Sequence, residues 1–196
     1  MKFRRLLPVL FVVLMIPAVG TAQGEGSTKF VINTNPIIDM FSWYNVELEF
    51  KVSETGTMGL SGSYFTFEET ATDYYTGAEL KADNTYSNVY GFYRYYPTAA
   101  LKGFFFGGRA GANIVSANAY VQSSTTGLYA WDKADATFFG VGIDIGYSWL
   151  LGKNENFYVS LGIGAIRLFG GDLDEDVYDV TLTLPTIRLI NVGVAF

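Results

Sequence analysis

The sequence predicts an all-β protein: an eight-stranded antiparallel up-and-down transmembrane β-barrel, occupying residues 23–196 behind a removable leader at 1–22. Three observations carry this. Several segments alternate strictly between apolar and small or polar residues, the mark of a strand with two unlike faces. Mean hydropathy is +0.21 with 17% aromatic residues, yet past the leader no apolar run approaches the length of a spanning helix. The connections between the alternating segments are by turns short and long, as in a meander whose two ends differ.

The leader is read from Lys2, Arg4 and Arg5, the apolar run Leu6 to Val19, and the small residues Gly20-Thr21-Ala22, which place a cut after Ala22. The run is shorter than the ~20 residues a membrane helix needs, and it carries Pro8 and Pro17. Removing three of 13 basic residues and none of 19 acids leaves a net charge of 10 − 19 = −9. So acidic a chain excludes nucleic acid as an expected partner, because phosphate binding needs basic stripes. The chain has no cysteine and no histidine, which removes disulfides, thiolate chemistry and the commonest general base.

The strands are expected at 29–35, 44–52, 58–67, 86–96, 103–116, 137–150, 157–169 and 182–196. In the second, Tyr44, Val46, Leu48, Phe50 and Val52 oppose Asn45, Glu47, Glu49 and Lys51. Nine residues suit a tilted crossing, although a soluble sandwich would show the same pattern. In the fourth, Asn88 and Arg94 oppose Val89, Tyr93 and Tyr95, and Tyr93, Tyr95 and Tyr96 beside Pro97 read as an interfacial aromatic girdle. The fifth turns Phe104, Phe106, Ala110, Ala112 and Ile114 outward and Arg109 and Asn113 inward. In the sixth, Phe139 to Trp149 alternate with Gly140, Gly142, Asp144, Gly146 and Ser148. Pro36 to Trp43 is a short apolar connection. The other turns fall at 53–57, 97–102 and 151–156, and long polar loops at 68–85, 117–136 and 170–181.

The last strand is irregular. Strict alternation back from Phe196 turns Arg188 toward lipid, at ~2–4 kcal/mol near mid-bilayer. A bulge at Ile190 instead turns Arg188 inward with Asn191 and Leu189 outward. Arg167, near the outer end of the seventh strand, is tolerable at an interface, where the cost falls to ~0–1 kcal/mol.

Over residues 29–196 this arrangement, with the ending PTIRLINVGVAF, resembles the small eight-stranded bacterial outer-membrane barrels: the OmpA transmembrane domain and the OmpX- and OmpW-like proteins. The ending also looks like that of poorly characterised small barrel families of Gram-negative bacteria. The resemblance implies an outer-membrane location, contact with membrane lipid and lipopolysaccharide, and recognition of the C-terminal Phe196 by the barrel-assembly machinery. It names no extracellular partner. Enzymes of this barrel type rely on histidine, so the absence of histidine leads us to expect no enzyme, and no cofactor is expected.

The candidate site is a charge network in the lumen: Glu47, Glu49, Lys51, Arg94, Arg109, Asp144 and Arg188. Eight strands leave an interior that side chains fill, so charges there must pair. A structural plug is the blander reading, and a gate over a narrow conduit for ions or small solutes the sharper one. Glu47 and Glu49 share a face as acid/base pairs do, but no nucleophile or histidine accompanies them. Asp172, Asp174 and Asp176 imitate the start of a calcium loop that then fails at Val177 and Thr183, so no metal site is assigned. In the long loops, Tyr74, Tyr75, Tyr120, Tyr129, Trp131 and Tyr178 are contact residues for proteins or glycans on one reading and members of the interfacial aromatic belt on the favoured one. The reading is a structural or surface-interaction barrel. A soluble barrel with an apolar lumen would turn Glu47, Glu49 and Asp144 outward.

Overall fold

A computed structural model describes residues 30–72, 79–122, 129–170 and 182–196. The eight strands are β1 (Phe30–Thr34), β2 (Trp43–Lys51), β3 (Gly56–Thr72), β4 (Glu79–Tyr95), β5 (Gly103–Gln122), β6 (Tyr129–Leu151), β7 (Phe157–Phe169) and β8 (Leu182–Ala195). Each pairs antiparallel with its sequence neighbour, and β8 pairs back onto β1, so the sheet closes into an up-and-down barrel. Closure leaves no complete edge strand and satisfies backbone groups within the wall, the condition for a sheet to cross lipid.

The stagger follows from the ladders. Partners taken once round from Phe30 run through Phe50, Met58, Tyr93, Gly108, Ile143 and Ala165 to Pro185. Phe30 is itself bonded to Phe196, and 196 − 185 = 11, one residue of which is a bulge. A stagger of this size in eight strands goes with a tilt of roughly 35–45°.

The faces are inverted relative to a soluble protein. Val89, Ile143, Ile163 and Ile187 are each 58% exposed or more, and Tyr93, Tyr95, Phe104, Phe106, Tyr147 and Trp149 also point outward. Buried positions include Glu47, Glu49, Arg94, Asn113 and Asp144. Glycines on the inner face of β6 leave room for large side chains from neighbouring strands: a Cβ at Gly140 would meet the Tyr90 hydroxyl, and one at Gly146 the Phe105 ring. At the seam, the Phe196 ring stacks on Phe30 at 4.6 Å between centroids.

The structure corrects several boundaries. Residues 68–72, 79–85, 117–122 and 129–136, expected in loops, continue the ladders, so β3–β4 pairs out to Thr72↔Glu79 and β5–β6 to Gln122↔Tyr129. Apolar alternation stops where the wall leaves the belt, but backbone pairing does not need it. Tyr96 leaves the expected girdle, because alternation keeps it on the side of Arg94, fully buried. The 36–43 connection contains a one-turn helix, α1 (Pro36–Asp39), with Asn35 capping Ile38 N–H and Trp43 already in β2. The leader, the 171–181 segment with Asp172, Asp174 and Asp176, and Tyr74, Tyr75 and Tyr178 lie outside the described residues. Tyr120 and Trp131 are paired in the β5–β6 ladder, with Tyr129 opposite Gln122.

In β8 the register slips between Ser160↔Asn191 and Gly162↔Arg188, so Leu189 and Ile190 together face Leu161. Both are exposed, while Arg188 turns into the lumen. Deleting Ile190 alone would keep Arg188 inward, but deleting Leu189 with it would bring Arg188 opposite Leu161 and rotate it outward. From the double deletion we expect a loss of ~2–4 kcal/mol for an arginine facing mid-bilayer, measured as a lower urea midpoint of the lipid-refolded barrel. An unchanged midpoint in the double deletion would show that stability does not depend on which way Arg188 faces.

Candidate functional site

The inward faces of β2, β4, β5, β6 and β8 bring three carboxylates and three guanidiniums together. Glu47 and Glu49 come from β2, Arg94 from β4, Arg109 from β5, Asp144 from β6 and Arg188 from β8. At the centre is Arg94, fully buried. Its Nη1 donates to Glu47 Oε1 at 2.8 Å and to Glu49 Oε2, and its Nε lies 3.5 Å from Asp144 Oδ2. Arg109 Nη2 donates to Asp144 Oδ2 at 2.9 Å, and Arg188 Nη2 to Glu47 Oε2 at 2.9 Å. Arg188 also approaches Asp144 Oδ2, at 3.5 Å. The six groups form one connected network with equal numbers of each sign, so the low-dielectric interior holds no net charge from them.

Neutral groups complete the cluster. Glu49 accepts from Thr57 Oγ1 at 2.5 Å, Tyr96 OH at 2.8 Å and Tyr158 OH at 3.4 Å. Glu47 accepts from Asn33, which in turn accepts from Asn191 across the seam. The Arg94 guanidinium lies 4.1 Å from the Phe92 ring centroid and 5.0 Å from that of Phe105, so aromatic faces cover what the carboxylates leave.

Lys51 does not join. It lies at the end of β2 and pairs at 3.1 Å with Glu54, which is 91% exposed, because β2 turns out of the barrel one pleat beyond Glu49. Sequence reasoning also passed over Thr57, Tyr96 and Tyr158. The signal was present: Tyr96 shares parity with Arg94, and Tyr158 with Ser160.

Filled layers lie on both sides of the network. Toward the short turns, Val31, Leu101, Tyr158 and Ala195 form a fully buried cluster. Leu101 is placed by a left-handed backbone (φ 68°) that folds the 96–102 turn across the barrel end, and its carbonyl accepts from Ser148 at 2.8 Å. Toward the long hairpins, Tyr86 donates to Asn113, which donates to Tyr90. Tyr90 packs with Ile166 and Leu168, with Phe138 and Leu184 against them. Among the described residues no three His, Cys, Asp or Glu side chains are grouped to hold a metal.

An apolar exterior around a charge-balanced, filled lumen defines the class: a small, closed, eight-stranded barrel of the outer-membrane type. Within that class, the chain belongs to the family described as "Protein of unknown function (DUF3575)", whose model matches residues 9–178. Among solved structures, it is similar to the N-terminal β-barrel domain of Pseudomonas aeruginosa OprF, at 13% identity over 88% of this chain and 100% of that one, with a TM-score of 0.44. It is also similar to Ail, the attachment invasion locus protein of Yersinia pestis, solved with the heparin analogue sucrose octasulfate, at 12% identity over 86% and 94% of the two chains and a TM-score of 0.41. No curated protein matches it.

Truncating Arg94 would leave Glu47 and Glu49 facing each other with one fewer cation. Arg94→Met is expected to cost about 3–5 kcal/mol in reversible unfolding, as when one partner of a buried pair is removed. Lys51→Met, at an exposed pair, is expected to shift stability by less than about 1 kcal/mol. Similar losses in the two variants would mean that the lumen network contributes no more than a surface ion pair.

Proposed function

We propose that this chain is a non-enzymatic outer-membrane protein with a structural or surface-interaction role, carried by the hairpins that rise beyond its apolar belt. The observation supporting it is the inverted distribution of polarity: aliphatic and aromatic side chains cover the outside while three ion-paired arginines are sealed inside. Such an exterior suits hydrocarbon and would aggregate in water. A soluble barrel with an apolar lumen would expose Glu47, Glu49 and Asp144, which are instead at most 4% exposed.

Residues 1–22 are the export leader in this reading, cut after Ala22. Phe196, at the end of β8, would be the residue read by the assembly machinery, and lipid and lipopolysaccharide would surround the belt. The β3–β4 and β5–β6 hairpins would face the exterior in this reading, because barrels of this type keep their short turns periplasmic and their longer loops outside. A conducting role is less well supported. The Arg94 network and the Leu101–Tyr158 layer lie across the lumen, and eight strands leave little interior to spare.

The test is the detergent-extracted membrane fraction on a gel, heated and unheated, with protease added to whole cells. A heat-dependent mobility shift, with cuts confined to the 68–85, 117–136 and 170–181 regions, is the expected result. Protein found in the soluble fraction, with no shift, would end the membrane reading.

A further inference from the structure

The wall is not equally tall all round. β1 pairs with β8 no higher than Thr34↔Val192, and β2 pairs with β3 no higher than Trp43↔Phe65. Yet β8 begins at Leu182 and β3 runs on to Thr72. Among the described residues, no strand pairs with β8 from Leu182 to Asn191 on its β1 side, or with β3 beyond Phe65 on its β2 side. The gap is floored by the α1 connection, which leans on β2 and β8 and is pinned by Asp39 through Thr34 and Asn45.

The surfaces at this gap are apolar on both sides of the wall. Outside, Met40 is 80% and Phe41 74% exposed on the connection, with Ile187 on β8 and Tyr64 on β3 exposed as well. Inside, four rings line the lumen face of β2, β3 and β4. Trp43 stacks on Phe65 at 5.3 Å, Phe65 on Phe67 at 5.5 Å, and Trp43 meets Tyr86 edge-on at 6.1 Å. The opposite wall at this level is filled by Ile166, Leu168 and Leu184, but Trp43 and Phe67 remain about two-fifths exposed, at 39% and 41%. An apolar surface thus runs from the outer belt through the gap onto the lumen rings. The bare strand edges beside it present backbone polar groups that hydrocarbon alone does not satisfy. An amphiphile meets both needs, with a chain for the rings and a polar head for the edges.

We propose that the gap between β3 and β8 admits an acyl chain of a membrane lipid, which lies along Trp43, Phe65 and Phe67 inside the barrel mouth. This rests on the membrane reading above and adds a lateral site to it.

Two single-tryptophan proteins test it, reconstituted in phosphatidylcholine vesicles with brominated acyl chains and checked for the heat shift. W43F/W131F keeps Trp149, on the outer wall, and W131F/W149F keeps the lumen-facing Trp43. The expected result is loss of emission from both, comparable in depth. Adding Phe65→Asp, or Phe65→Ser where the charge prevents folding, should reduce the loss at Trp43. The same change in the Trp149 protein should leave its loss unaltered. Quenching at Trp149 without quenching at Trp43 overturns the lateral site, whether Trp43 proves open to aqueous acrylamide or shielded from it. So does a Trp43 loss unaffected by the Phe65 variants, because the chain would then lie outside the wall. No quenching at Trp149 defeats the membrane reading itself, and the lateral site with it.

Discussion

Everything inside this barrel answers to the charge of Arg94, held where water does not reach. An unpaired cation there would cost far more than a domain's net stability, so carboxylates must converge on it. Glu47 and Glu49 converge from β2 and Asp144 from β6. Each of these anions needs further donors, which brings in Arg109, Arg188, Thr57, Tyr96 and Tyr158. The chain of demands reaches five of the eight strands through charges alone. Such a network adds less to stability than it adds to register, because a one-residue slip of any of these strands would turn an ion toward the belt.

The bulge in β8 shows that constraint shaping the backbone. Phe196 must meet Phe30 to close the seam, and Arg188 must face Glu47 inside. Even alternation cannot satisfy both, since 188 and 196 share parity and Phe196 belongs to the outer face. One extra residue between them resolves the conflict, and Leu189 and Ile190 absorb it with both side chains outward.

This conflict was legible in the sequence because it is a matter of counting. The strand faces and the inward ionisable set were legible for the same reason: period-two alternation needs no knowledge of partners. What escaped was anything set by non-local fit. Lys51 has the parity of Glu47 and Glu49, but it stands where β2 leaves the barrel, and parity says nothing of depth. Tyr96 was counted with the outward tyrosines because Tyr95, Tyr96 and Pro97 look like a girdle, whereas its hydroxyl is required at Glu49. The far ends of β3 to β6 were hidden because strands above the belt have no apolar face to display. Leu101 was hidden because its burial depends on a left-handed turn closing the barrel end.

The wall and the lumen therefore differ in what they permit. The lumen is closed by mutual need, and few single changes to its charges leave the rest satisfied. The rim is set by strand length alone. β5 and β6 run 20 and 23 residues while β1 runs five, so the mouth is cut low beside the seam and stands high opposite it. Barrels of one wall design diverge in their rims and loops, which can change without disturbing the packed interior. In this chain the low side of the rim leaves Trp43 and Phe67 exposed above a sealed interior, and the high side carries the β5–β6 ladder outward. A structure that commits its charges to closing its centre keeps its freedom to vary at that uneven edge.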